Sequence, residues 1–309
     1  MRRINSILAL LMVLLVLGGC AWSGVGKASG ADWRQEIPLI GEWVAAQDDT
    51  LYVHCLDIGQ GDAILLQWRG KWTMIDTGDV SHRPQIVEYL DHYGVSRLEQ
   101  LIVTHPDGDH LGGAYAVLRH IPVGRVYDNG QEKLNYMYRT YLRTLARTGV
   151  KRVTAKKGDV IDLGSGAVLT LMGPPQPLLQ GKNGKAEYNN NSIIAMLSYG
   201  SFRMLFTGDA EKEEEAWLCA TYGDKLRATV LKVGHHGSHT SSSADFVRAV
   251  RPQAAVISCG RNNSYGFPHK EPLARIQGIG AQVYRTDRDG TVTVVTDGRS
   301  FAVQREGDG

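Results

Sequence analysis

Residues 101–113 read LIVTHPDGDHLGG. The apolar run Leu101–Thr104 predicts a strand that stops abruptly at polar residues and a Gly112-Gly113 pair. His105, Asp107, Asp109 and His110 crowd this strand end, and no Lys or Arg interrupts them. A solvated acidic turn would account for Asp107-Gly108-Asp109 but not for the flanking histidines. Carboxylates packed this closely repel one another unless a cation offsets them, so the stretch predicts a metal site at a strand terminus.

Upstream, Leu51–Leu56 alternates as a strand, and Asp57-Ile58-Gly59-Gln60-Gly61-Asp62 turns the chain into a second strand, Ala63–Trp68. A hairpin at Arg69-Gly70-Lys71 leads into Trp72–Ile75, which ends in Asp76-Thr77-Gly78-Asp79. Pro84–Tyr93 has helical spacing. The order β-β-β-α-β is mixed α/β (α+β) rather than purely parallel. Downstream, Lys133–Thr148 predicts a helix with Leu134, Met137, Tyr138, Tyr141, Leu142 and Leu145 on one side. Its tyrosines are expected in the core rather than stacked on nucleobases.

The second half repeats this logic. A hairpin, Ser192–Leu197 against Arg203–Phe206, ends in Thr207-Gly208-Asp209, and Glu211–Tyr222 opens acidically as a helix should. The strand Thr229–Val233 then runs into Gly234-His235-His236-Gly237-Ser238-His239, and a later loop, Tyr265–His269, carries one more histidine. Two halves with carboxylates and histidines at strand ends predict one shared site on one edge of a sheet sandwich. The candidates make six or seven ligands, more than a closed structural zinc site uses, which favours two divalent ions about 3.5–4 Å apart and metal-activated hydrolysis.

At the amino terminus, Arg2 and Arg3 precede the apolar run Ile7–Leu17 and the small residues before Cys20. This predicts a leader over residues 1–19, a tether over 20–48 and one hydrolase domain over 49–306. Leu17-Gly18-Gly19-Cys20 resembles a bacterial lipobox, which implies lipid on Cys20 and a membrane-anchored protein outside the cytoplasm; a plain signal peptide, giving a secreted form, or an uncleaved anchor are the alternatives. The chain has 34 basic and 32 acidic residues. Losing Arg2 and Arg3 leaves the charges balanced, which counts against a dedicated nucleic-acid binder but not against a nuclease using metals. Cys55, Cys219 and Cys259 imply no disulfide framework, and Cys55 and Cys259 are expected to be buried thiols.

His105-x-Asp107-x-Asp109-His110 resembles the His-x-His-x-Asp-His signature of the metallo-β-lactamase superfamily, with Asp107 in place of the second histidine. Asp57–Asp62, Asp76-Thr77-Gly78, Asn190-Asn191-Ser192, Thr207-Gly208-Asp209, Leu231–Ser238 and Asn262–His269 follow in the order found in the corresponding domain of the ComEC family, the DNA-uptake proteins of competent bacteria. The resemblance implies an αββα four-layer sandwich with a dinuclear centre. By matching position, His105 and Asp107 would hold one ion, Asp109 and His110 the other, and Asp209 would bridge. His235 would complete the second ion, with His236 as the competing assignment. Asp76, Asp57 and Asp62 would orient or brace the ligands. Asn191 and Ser192 stand where the superfamily has an isolated histidine. Asp109 would also serve the chemistry, and His269 would meet the substrate as a phosphate contact or proton donor.

The oxygen-rich first site favours manganese or magnesium over zinc relative to β-lactamases. The implied activity is a phosphodiesterase or nuclease acting on extracytoplasmic DNA, with a separate DNA-uptake channel protein as a candidate partner. Hydrolysis of another ester, phosphate or lactam, or an accessory DNA-binding role with metal retained, are the competing expectations.

Overall fold

A computed structural model describes residues 49–306. The expected leader, tether and Cys20 lie outside the described residues. The first sheet takes β1 (Leu51–Cys55), β2 (Ala63–Trp68), β3 (Lys71–Thr77), β4 (Leu98–Val103), β5 (Val123–Asp128) and β6 (Lys151–Thr154). The second takes β7 (Val160–Gly164), β8 (Ala167–Leu171), β9 (Ala195–Tyr199), β10 (Phe202–Phe206), β11 (Val230–Lys232), β12 (Ala254–Ile257) and β13 (Gln282–Arg285). The chain then returns to the first sheet as β14 (Val292–Thr296) and β15 (Phe301–Arg305), giving the order β15-β14-β1-β2-β3-β4-β5-β6.

The helices are α1 (Arg83–His92), α2 (Gly108–Leu111), α3 (Ala114–His120), α4 (Tyr136–Thr148), α5 (Lys212–Tyr222), α6 (Ala244–Val250), α7 (Lys270–Gly278) and α8 (Thr286–Asp289). Alternation along the strands sorts the side chains into three cores. Val53, Ile75 and Ile102 meet Leu169, Leu197 and Met204 between the sheets. Leu65, Met74 and Leu101 turn outward under Ile86, Val117 and Tyr141 of α1, α3 and α4. On the far side, Leu205, Leu231 and Ala255 pack under Leu218, Phe246 and Ile276 of α5, α6 and α7. The result is helix, sheet, sheet, helix, as expected. Because both faces are covered, β12 is buried at every position, whereas the edge strands β6 and β13 carry charged and half-exposed residues.

Local chemistry sets the boundaries. Arg69 and Gly70, with φ of 49° and 73°, supply the left-handed pair that a two-residue hairpin needs. The helix expected from Lys133 begins only at Tyr136, because the Asn135 side chain accepts the Tyr138 N–H and caps it there. Leu134 is therefore exposed rather than in the core, while Tyr138 and Tyr141 are buried as expected. Cys55 and Cys259 are buried free thiols, and burial pushes each up to about 12.

Two units of the same design face each other. β3, α1 and β4 form a parallel crossover in the first sheet, and β10, α5 and β11 form one in the second. Each first strand leads into Thr-Gly-Asp (Thr77-Gly78-Asp79 and Thr207-Gly208-Asp209). Thr77 Oγ1 donates to the His110 carbonyl at 2.8 Å, and Thr207 Oγ1 donates to the Lys232 carbonyl at 2.7 Å. Thr77 ties its strand end to the segment after β4, and Thr207 ties its own to the last residue of β11. Among the described residues no helix is long and apolar enough to cross a membrane.

Candidate metal centre

The carboxyl ends of β3, β4, β10 and β11 deliver their loops to one place. Ligand atoms of Asp109, His110, Asp209 and His236 all lie within 4.8 Å of one another. His236 Nε2 is 3.2 Å from Asp109 Oδ2 and 3.5 Å from Asp209 Oδ1. His110 Nε2 is 3.2 Å from Asp209 Oδ1, and His105 Nε2 is 3.9 Å from Asp209 Oδ2. His105, His110 and His236 are buried, and so is Asp209.

Each of these rings has its Nδ1 engaged. His110 Nδ1 donates to Asp76 Oδ2 at 2.8 Å, and His236 Nδ1 donates to the Ser258 carbonyl at 2.9 Å. His105 Nδ1 lies 3.1 Å from Thr104 Oγ1 and 3.4 Å from Ser192 Oγ. Among the described residues, His105 Nε2, His110 Nε2, His236 Nε2 and Asp209 Oδ1 have no hydrogen-bond partner. Four converging buried polar atoms without hydrogen-bond partners are costly in a protein interior. Their tautomers, with Nδ1 occupied and Nε2 turned inward, are those of metal-ligating histidines. The donor set fits a divalent cation.

The electrostatics agree. Burial opposes charge on His110, but Asp209, Asp76 and Asp109 raise its pKa well above the ordinary histidine value. Burial likewise opposes charge on His236, and Asp209 and Asp109 overcome it. Asp209 and Asp109 are held below the usual carboxylate range by these histidines despite burial. His105 is lowered, first by burial and then by His110 beside it. The field of the cluster therefore favours positive charge at its centre.

The other expected residues spread outward from this group. Asp76, buried at a left-handed φ of 56°, accepts from Thr104 N and Thr104 Oγ1 at 2.7 Å each besides orienting His110. Ser192 Oγ accepts the Asp209 N–H at 3.1 Å, so this serine links two of the central residues. Asn191 instead pins the preceding loop, bonding to the backbone of Leu179 at 2.8 and 3.0 Å. Asp57 sits in its own turn, with its carbonyl held by Gln85 and Tyr89. Asp107 is half-exposed and pairs with Lys133 at 2.6 Å, outside the group of four. His235 stands beside the group: its Nε2 is 3.8 Å from Asp209 Oδ2, and its Nδ1 is held by Glu211 at 2.9 Å. His269 lies one ring further out, edge-on to Phe267, with Nδ1 accepting the His239 N–H at 3.0 Å.

Sequence reading passed over Lys232. Fully buried at the end of β11, it pairs with Asp62 Oδ2 at 2.7 Å and donates to the Val233 carbonyl. Asp62 Oδ1 is in turn 3.5 Å from His236 Nδ1. One charged residue inside the apolar strand 229–233 was the available signal. Gly61 is required at this corner: with φ of 132°, any Cβ would stand 2.4 Å from the Asp109 carbonyl.

Fold and site together define a metal-dependent hydrolase. The pattern of the metallo-β-lactamase superfamily matches residues 56–261, and the chain belongs to that superfamily. It is 32% identical over 266 residues to ComE operon protein 3 of Bacillus subtilis, covering 78% of this chain and 32% of that protein. It is 30% identical over 290 residues to competence protein ComA of Neisseria gonorrhoeae, covering 93% of this chain and 37% of that one. The chain thus spans about a third of the length of these relatives. Among solved structures, the metallo-β-lactamase fold protein YhfI of Bacillus subtilis superposes with a TM-score of 0.50 at 10% identity, over 77% of this chain and 96% of that one. That likeness is one of fold.

Proposed function

We propose that this protein is a metal-dependent phosphodiesterase that cleaves DNA outside the cytoplasm, anchored to the membrane through lipid on Cys20. The observation that carries the hydrolytic part is the convergence of three unpartnered histidine Nε2 atoms on Asp209 and Asp109. The resemblance to the ComEC DNA-uptake family, together with a relative named as a competence protein, supports DNA as the substrate.

In this reading Asp109, His110, Asp209 and His236 would hold one divalent ion. His105 and Asp209, with Asp107 as the neighbouring carboxylate, would hold a second, manganese, magnesium or zinc being the candidates. Ions bound there supply Lewis acidity and lower the pKa of water toward about 7 in the case of zinc. The protein's own residues do the rest. Asp76 and Ser258 keep His110 and His236 in the required tautomers. Lys232 neutralises Asp62 behind His236. Lys133 reduces the charge of Asp107, so that a phosphodiester meets less repulsion. His235, oriented by Glu211, and His269 line the approach and are placed to contact phosphate oxygens or pass a proton to the departing one.

The test is cleavage of fluorescent single- and double-stranded DNA with manganese, magnesium, zinc or EDTA, with Asp109→Ala as control. Cleavage that needs a metal and disappears in the variant is expected. Stoichiometric bound metal without cleavage of any DNA would move the assignment to a smaller ester or phosphate.

A further inference from the structure

Tyr265 is a large aromatic residue left 62% exposed on the loop beside the metal centre. Its ring stacks on Phe267 with centroids 5.2 Å apart and planes within 13°. Phe267 in turn lies 6.2 Å from the His236 ring at 30° and makes edge contacts with His235 and His269. One column of rings thus runs from the central histidine to solvent. Phe267 stacks on the tyrosine ring, which otherwise remains largely exposed.

The loop is built to hold the backing Phe267 in place. Asn263 Nδ2 donates to the carbonyls of Gly260 and Phe267 at 2.9 and 2.8 Å, and Asn263 Oδ1 accepts the Phe267 N–H at 2.9 Å. Gly260 N donates to Gln60 Oε1 at 3.2 Å, tying the loop to the β1–β2 turn. A flat aromatic face fixed in advance, with one side already stacked, loses little entropy when a second flat group settles on it. Stacked bases repeat every ~3.4 Å along a strand. With centroid steps of 6.2 and 5.2 Å the column is longer than two base steps, so Tyr265 is reached by a base a few nucleotides from a phosphate at the metal centre. In a duplex that base is already stacked and paired, whereas in a single strand it is free to turn out onto an aromatic platform.

We infer that Tyr265, backed by Phe267, is a stacking platform for an unpaired nucleobase a few nucleotides from the scissile phosphate, and that it gives the site a preference for single-stranded DNA. This rests on the phosphodiesterase reading above.

The test measures binding and cleavage with the full chain. An oligonucleotide carrying 2-aminopurine near the cleaved bond reports stacking directly through quenching of its fluorescence. Expected for Tyr265→Ala is loss of that quenching and a KM for single strands raised by about 5- to 150-fold, the range for one base–aromatic stack. The kcat should fall far less. Tyr265→Phe should restore both quenching and KM, because the ring and not the hydroxyl stacks. An abasic site at the contacted position should abolish the difference between the parent protein and Tyr265→Ala. If Tyr265→Ala quenches and binds like the parent while the parent still cuts DNA, the platform is overturned and the nuclease stands. If the parent cuts no DNA with any metal, the nuclease reading falls and this inference falls with it.

Discussion

At the scale of single residues, the centre depends on groups that never touch a metal. Asp76 fixes the His110 tautomer from a strained left-handed backbone position, and it also holds both donors of Thr104. Asp76→Ala should lower metal affinity by about 10–100-fold, read by competition against a chromophoric chelator, while the far-ultraviolet spectrum stays native. Affinity in the parent should also weaken as pH falls. His110 and His236 have raised pKa values, so protons displace the metal earlier than they would at ordinary histidines. Metal content after equilibrium dialysis at pH 5.5 and 7.5 checks this. The spacing of His235 and His236 left their roles open for a physical reason. Both residues adopt left-handed φ angles, 46° and 52°, so adjacent positions diverge instead of alternating as in a strand. One ring enters the centre and its neighbour turns to Glu211, a choice written in backbone torsions rather than in side-chain type.

At the scale of elements, β11 and α5 carry buried charges with opposite consequences. Lys232 and Asp62 form a buried pair behind His236, and removing one partner leaves the other unpaired. Lys232→Met should destabilise the fold by about 3–5 kcal/mol, and adding Asp62→Asn should recover part of the loss; urea denaturation measures both. Glu214 on α5 is different. Burial, with Glu215 beside it, raises its carboxyl well above the usual range, and its Oε1 has no hydrogen-bond partner among the described residues. A raised carboxyl pKa contributes stability at pH values below the unfolded carboxylate range, and that contribution is lost as pH rises through the folded value. Glu214→Gln should therefore melt higher than the parent by a margin that grows from pH 5 to pH 8, at about 2–4 °C for each kcal/mol relieved. Strand ends rich in carboxylates were legible because polar residues interrupt apolar runs there. Lys232 was not, because its partner Asp62 is distant in sequence and only the fold brings them together.

At the scale of the whole molecule, the four-layer architecture was legible from the two repeated halves and from the motif order. The assignment of strands to sheets was less so, because β14 and β15 rejoin the first sheet from the far end of the chain. His105, Asp109 and His110 follow a strand of the first sheet, while Asp209 and His236 follow strands of the second, so a metal held there would cross-link the two. One site filled at 100 times its Kd adds about 2.7 kcal/mol, which at about 2–4 °C per kcal/mol raises the melting temperature by about 5–11 °C. Asp209→Asn should abolish that rise, as calorimetry with and without manganese would show. The strand order has a kinetic consequence as well. β1 pairs on one side with β14, so the first described strand waits for nearly the last before its ladder is complete. Contacts of such sequence separation slow folding. During synthesis the strands that carry the metal centre emerge before β14, so the first sheet is complete only once the β14–β15 hairpin has docked.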